Sequence, residues 1–156
     1  MIPGMDLERN WYREDDIATK LYASSTYEAD FNTVNNDVTY TQSPVTSSYI
    51  RIGKMVFVTI LVDFSKVTSV GTGQYYVTLP FQATRHAGIT TGMLHENNTA
   101  RHLLEGVVEK DSYRMLLYWI SNQSELKAFT HTQPHNAINN DDLFHFEGWY
   151  EAEVQL

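Results

Sequence analysis

Six histidines and a handful of acidic and aromatic side chains are the residues of this 156-residue chain with chemistry to offer. His131 and His135 have the four-residue spacing that pairs two metal ligands on one face of a helix. Pro134, between them, forbids the helix that would use it. His86, His95, His102 and His145 form no His-x-His pair and read as ordinary polar strand and loop residues. A histidine carried to a symmetry axis could still share a metal with its copies, since imidazole suits several transition ions. The acidic runs Glu14-Asp15-Asp16 and Asn139-Asn140-Asp141-Asp142 lack the spaced oxygens, central Gly and closing Glu of a calcium loop. The first reads as a solvated face and the second as a turn before the last strand. Glu147, Glu151 and Glu153 share one face of one strand, where alternation places solvated residues anyway, and no insertion builds a cleft around a glycosidase-like carboxylate pair. There is no Gly-x-Ser-x-Gly elbow. Gly71-Thr72-Gly73 runs into a strand and not a helix, so it is turn chemistry and not a phosphate loop. The absence of Cys removes thiol nucleophiles, disulfides and Cys-ligated zinc. The expectation is a protein with no catalytic residue, no cofactor and no bound metal. Trp149, on the polar face of the last strand, is the candidate glycan contact; its other reading is a subunit contact, because aromatics are enriched at interfaces.

The elements that carry these residues read as strands. Apolar residues are 42% and charged residues 19% of the chain, a globular composition at a length that suits one domain. The 11 Lys and Arg against 19 Asp and Glu give a formal charge of −8, which argues against nucleic-acid and anionic-membrane partners. Met55 to Val62 is the longest apolar stretch and is too short to span a bilayer. The N-terminal residues lack the apolar segment of a signal peptide. Met55 to Phe64 alternates with period two: Val56, Val58, Ile60, Val62 and Phe64 should face the core, with Met55, Phe57, Thr59, Leu61 and Asp63 opposite. Tyr49 to Ile52 precedes it across a tight turn at Gly53-Lys54. Further strands are expected around Val38 and Tyr40, over 75–81, 89–95, 102–109 and 113–120, and over 144–154, where Phe144, Phe146, Gly148, Tyr150, Ala152 and Val154 point inward. About eight strands at this spacing predict an all-β fold, an antiparallel β-sandwich or jelly roll, over residues 26–156.

Residues 1–25 read as an N-terminal arm closed by Ser24-Ser25-Thr26. Leu7/Trp11 and Ile17/Leu21 are four apart, the spacing of a short helix, although Glu14, Asp15 and Asp16 interrupt the stripe. Trp11, Tyr12, Ile17, Leu21 and Tyr22 make the arm too apolar for a solvated tail, so they are expected to anchor it to another protein. The strands also carry more apolar faces than one sandwich core uses. Met55, Phe57 and Leu61 on one strand, with Leu116 and Tyr118 on another, are therefore the expected oligomer interface.

Three stretches together resemble a known family. They are Tyr49-Ile50-Arg51-Ile52-Gly53-Lys54-Met55-Val56-Phe57-Val58, then Gly71-Thr72-Gly73 leading into Tyr76-Val77-Thr78-Leu79-Pro80-Phe81, then Asp141-Asp142-Leu143 leading into Gly148-Trp149-Tyr150-Glu151-Ala152. Their order is similar to that of small bacteriophage virion-surface domains, which occur as capsid decoration proteins and as head- or tail-fibre tips. The resemblance covers about residues 27–154; the arm has no counterpart in it. It implies a homotrimeric β-sandwich on the outer surface of a virion, whose partners are its own copies and the major capsid protein or another virion protein. Of the roles in that family, a non-enzymatic decoration or cement protein fits a chain with no heptad or repeat shaft ahead of its domain. The alternative is a receptor-binding tip that recognises a host glycan.

Overall fold

The computed structural model describes residues 22–96, 100–134 and 141–153. Within them the regular structure is β, apart from one 3₁₀ turn at Phe64–Lys66. The strands are β1 (Tyr22–Thr26), β2 (Phe31–Thr33), β3 (Thr39–Tyr40), β4 (Val45–Ile52), β5 (Met55–Asp63), β6 (Val67–Ser69), β7 (Tyr75–Thr78), β8 (Ala87–Glu96), β9 (Ala100–Val108), β10 (Arg114–Ile120), β11 (Leu126–Ala128) and β12 (Leu143–Glu151). One large sheet runs β1-β4-β5-β12-β8-β9-β10-β7-β2, with β11 on β10, and β3 pairs separately with β6. Its pairings are antiparallel. The fold is the all-β, sandwich-like architecture expected from the sequence. The strand number exceeds eight because β2, β6 and β11 are three residues long, too short for period two to be read, and because β1 lies where the arm is expected.

The sheet rolls up. Its two ends, β1 and β2, are consecutive in the chain, and the link between them bonds to both flanks. Tyr27 N donates to Ser47 O and Ser47 Oγ donates back to Tyr27 O, on the β4 side. Thr78 N donates to Asp30 O, and Asp30 N to Thr78 Oγ1, on the β7 side. The Tyr27 hydroxyl reaches across to Thr78 O at 3.1 Å. Residues 22–25, expected in the arm, therefore belong to the sheet. Ser and Thr mark loops in many sequences, but an exposed edge strand accommodates them equally well.

Inside the roll lies one core. Val56, Val58, Ile60 and Val62 of β5 are at most 2% exposed, and Phe144, Phe146 and Tyr150 of β12 are equally covered, as period two requires. Phe31, Phe64, Tyr75, Phe129 and Phe144 pack ring to ring with centroids 5.0–6.0 Å apart, each such pair contributing about 0.5–1.5 kcal/mol beyond its buried area. Buried tyrosines spend their hydroxyls on backbone: Tyr75 donates to Val70 O and Tyr150 to Phe81 O, both at 2.8 Å. Burial pushes both phenols well above their ordinary pKa.

Two local devices hold register. The Ile52↔Met55 pairing leaves Gly53-Lys54 as a two-residue hairpin loop, with Gly53 at φ 58°, the glycine-first pattern of a type II′ turn. On β8 the pairing with β9 slips by one residue between Ile89↔Gly106 and Gly92↔Leu104, a β-bulge. Ile89 and Leu94 consequently both point inward, although one number is odd and the other even.

The Gly71-Thr72-Gly73 loop is clasped by Asp37. Its carboxylate accepts from Thr72 N at 2.9 Å and from the hydroxyls of Thr72 and Thr33. Those bonds, the Thr33 hydroxyl first, hold the Asp37 pKa down to about 2 from 3.8. Because the folded-state pKa is depressed, the clasp contributes fully above the ordinary carboxylate pKa and is lost as pH falls toward 2. Thermal unfolding of Asp37→Asn should therefore decline less steeply from pH 4 to pH 2 than that of the parent chain; parallel declines would count against the clasp. Gly92 lies opposite Phe146, and a Cβ there would stand 2.4 Å from the ring. Gly92→Ala should cost about 1–3 kcal/mol by overpacking, read as a lowered urea midpoint with unchanged slope.

Candidate interaction face

Where one face of each strand fills the core, the opposite face of β1, β4, β5 and β12 forms the outside of the roll. Register aligns it in rows. Tyr22, Ile52, Met55 and Glu151 lie side by side; Ser24, Ile50, Phe57 and Trp149 form the next row. Then come Thr26, Ser48, Thr59 and Glu147, followed by Thr46, Leu61, His145 and, on β8, Met93. The first two rows are a contiguous apolar patch ending in charge at Glu151. Tyr22 and Ile52 are 53% exposed, Trp149 47%, and Met55, Ile50 and Leu61 about 40%. Phe57 is half-buried because the Trp149 ring leans on it, centroids 5.1 Å apart. The third row is polar, with Ser48 and Thr59 hydroxyls bonded to each other. It floors a shallow hollow of about 220 Å³ whose walls include Thr46, Leu61, His145 and Glu147.

Met55, Phe57 and Leu61 thus share this face as the sequence predicts, and Trp149 joins them. Leu116 and Tyr118 are outward-facing and half-buried, but they sit on β10, four strands around the sheet from β5, where Leu116 pairs with Val107 and Tyr76. The five expected interface residues occupy two separate faces. Of the arm residues, Trp11, Tyr12, Ile17 and Leu21 lie outside the described residues. Tyr22 is placed, at the edge of the apolar rows. Ile50 and Ile52 were not singled out from the sequence, although the two-residue turn at Gly53-Lys54 sets Ile52 against Met55 and could have revealed them.

A second hollow, of about 280 Å³, lies between Arg51, Phe81, Gln82, Tyr113 and Glu153. Arg51 is buried there with its guanidinium 4.4 Å over the Phe81 ring. It donates to Gly53 O and Glu153 O, so its charge ties the β4–β5 turn to the segment after β12.

The histidines divide by element. His86 is exposed. His102 pairs with Glu96 at 2.6 Å on the β8–β9 hairpin. His131 is on the loop before Pro134, and His135 lies outside the described residues. His95 of β8 and His145 of β12, fifty residues apart, bring their Nε2 atoms within 3.2 Å on the outer face. Among the described residues no three His, Asp or Glu side chains gather to hold a metal ion, and no helix is long and apolar enough to cross a membrane.

No family model matches the chain, and neither a curated protein nor a solved structure matches it.

The two faces of β5 make opposite demands. Ile60→Ala removes a fully buried side chain and should cost about 2–5 kcal/mol. Leu61→Ala, one residue on, should change stability by no more than about 0.5 kcal/mol. Urea denaturation at low protein concentration compares them; equal costs would contradict the outward placement of Leu61.

Proposed function

We propose that the chain is a non-enzymatic structural protein of a bacteriophage particle, a homotrimer that decorates the outer shell and cements it. One observation carries the reading. The apolar rows Tyr22/Ile52/Met55 and Ile50/Phe57/Trp149 lie in the open on a fold whose core is already filled. Contiguous exposed apolar area of this kind marks a contact surface. The sequence resemblance to virion-surface domains supplies the setting.

Threefold symmetry fits the placement of the two outward sets. A ring of three uses a heterologous contact, in which one patch of each copy meets a different patch of the next. Met55, Phe57 and Leu61 offer one patch, and Leu116 and Tyr118, four strands away, offer the second. Tyr22, the first described residue, borders the self-contact face, and the segment expected to anchor, with Trp11, Tyr12, Ile17 and Leu21, is joined to it in sequence. A trimer anchored across shell-subunit boundaries would stabilise the assembled shell by mass action and raise the barrier to its disassembly. No chemical step is needed.

Trp149 favours one second reading. Its half-exposed ring beside Phe57 could stack on a host sugar, the role of a fibre tip.

Removing residues 1–21, which leaves β1 whole, should give a folded trimer that no longer binds shells stripped of this chain. Ile52→Glu with Met55→Glu should give folded monomers. Sedimentation and particle co-sedimentation read both. A parent chain that stays monomeric at micromolar concentration would overturn the trimer, and shell binding that survives the truncation would overturn the anchor. A handful of copies per particle, with glycan binding lost in Trp149→Ala, would decide for the fibre tip.

A further inference from the structure

We propose that His95 and His145 form a two-nitrogen binding site for a divalent transition-metal ion of the zinc, nickel and copper class, on the outer face of the roll. The two rings come from strands that neighbour in the sheet, β8 and β12, and lie diagonally: His95 pairs with Leu143 and His145 with Met93. Their centroids are 5.2 Å apart with 33° between the planes, whereas their Nε2 atoms are 3.2 Å apart. The lone-pair corners therefore converge. Two nitrogens bound to one tetrahedral zinc at ordinary bond lengths stand about 3.3 Å apart, so the Nε2 separation is already that of two ligands on one ion.

The surroundings suit the neutral imidazole that ligates. Partial burial lowers the His95 pKa, and the neighbouring Arg101 and His145 lower it further. Arg101 sits directly across from His95 on β9, and Leu61 and Met93 flank His145 on its two neighbouring strands. Without an ion, one ring donates its Nε2–H to the other's lone pair; when an ion binds, the donor ring's proton moves through water to its own Nδ1, and both Nε2 lone pairs form nitrogen–metal bonds. No third His, Asp or Glu among the described residues completes the set, so water fills the remaining positions. Soft sulfur-seeking ions and the oxygen-seeking Mg²⁺ and Ca²⁺ are disfavoured by an all-imidazole donor pair, and copper should bind more tightly than nickel or zinc.

Titration of the full chain with zinc chloride, followed by calorimetry, tests the site. One saturable ion is expected, with His95→Gln and His145→Gln each weakening it at least about tenfold and His86→Gln leaving it unchanged. Circular dichroism establishes that the variants fold. In the parent chain, zinc should shift the imidazole ring proton resonances of His95 and His145 and not those of His86. Copper added in place of zinc should give an electron paramagnetic resonance spectrum with two nitrogen couplings. Absence of saturable uptake would overturn the site, as would undiminished affinity in the double variant, or zinc taken up with both ring resonances unmoved. The tests of the trimer and of the shell anchor use other residues, so they stand or fall separately from this site.

Discussion

Residues 22–33 close the sheet on itself, and the rest of the molecule follows from that closure. The segment pairs with β4 through its first half and with β7 through its second, and Tyr27 joins the two flanks. A sheet closed in this way has one inside. Period two gives each strand one inward face and one outward face, so the inward residues compete for a single core, and among the described residues the outward ones have no second layer to cover them. Val58 is fully buried while Ile50, in the row beside its neighbour Phe57, is exposed. The surplus of apolar strand faces is a consequence of closure.

Aromatic rings tie the parts of the core together inside the roll, which makes the closure tight. Phe31, on β2, touches Phe64, Tyr75 and Phe144, so the last strand of the path is held by rings from three other parts of the chain. The tyrosines span the roll in a second way: Tyr150 exchanges hydrogen bonds with both Phe81 N and Phe81 O. A large ring with one polar tip fills volume and still satisfies a backbone group that closure would otherwise leave unpaired. Tyr27, Tyr75 and Tyr150 meet this need.

What the sequence made legible is what alternation and turn chemistry encode locally. β5 and β12 read correctly face by face, Val154 lying outside the described residues, and Gly53-Lys54 read correctly as the hairpin that sets β4 against β5. Pairing between strands distant in sequence leaves no such local mark. Nothing in Tyr22 to Thr26 announces that it will border Ile52 to Ser48, and Leu116 and Met55 have similar local patterns although they lie on different sides of the roll. Tyr76 looks outward by alternation, yet it is covered because Arg114 lies over its ring at 4.3 Å. Residue type and period fixed the class of surface; the identity of neighbours came from closure.

The β8 bulge is the sharpest case of that divide. Strict alternation from Ile89 would send Met93 and His95 to the same side as Ile89, into the core. The extra residue between Ile89 and Gly92 reverses the phase, so Leu94 turns inward and His95 turns out. The bulge also has a steric partner: Gly92 leaves room for the Phe146 ring, which occupies the space a side chain would take. β12 carries no bulge in its pairing with β5, so His145 keeps the outward phase that its sequence predicts, and the two histidines meet only because one strand slipped and the other did not. A bulge costs one ladder position and is conspicuous only in three dimensions. In this chain it decides whether the rings at 95 and 145 lie on opposite faces of the sheet or side by side.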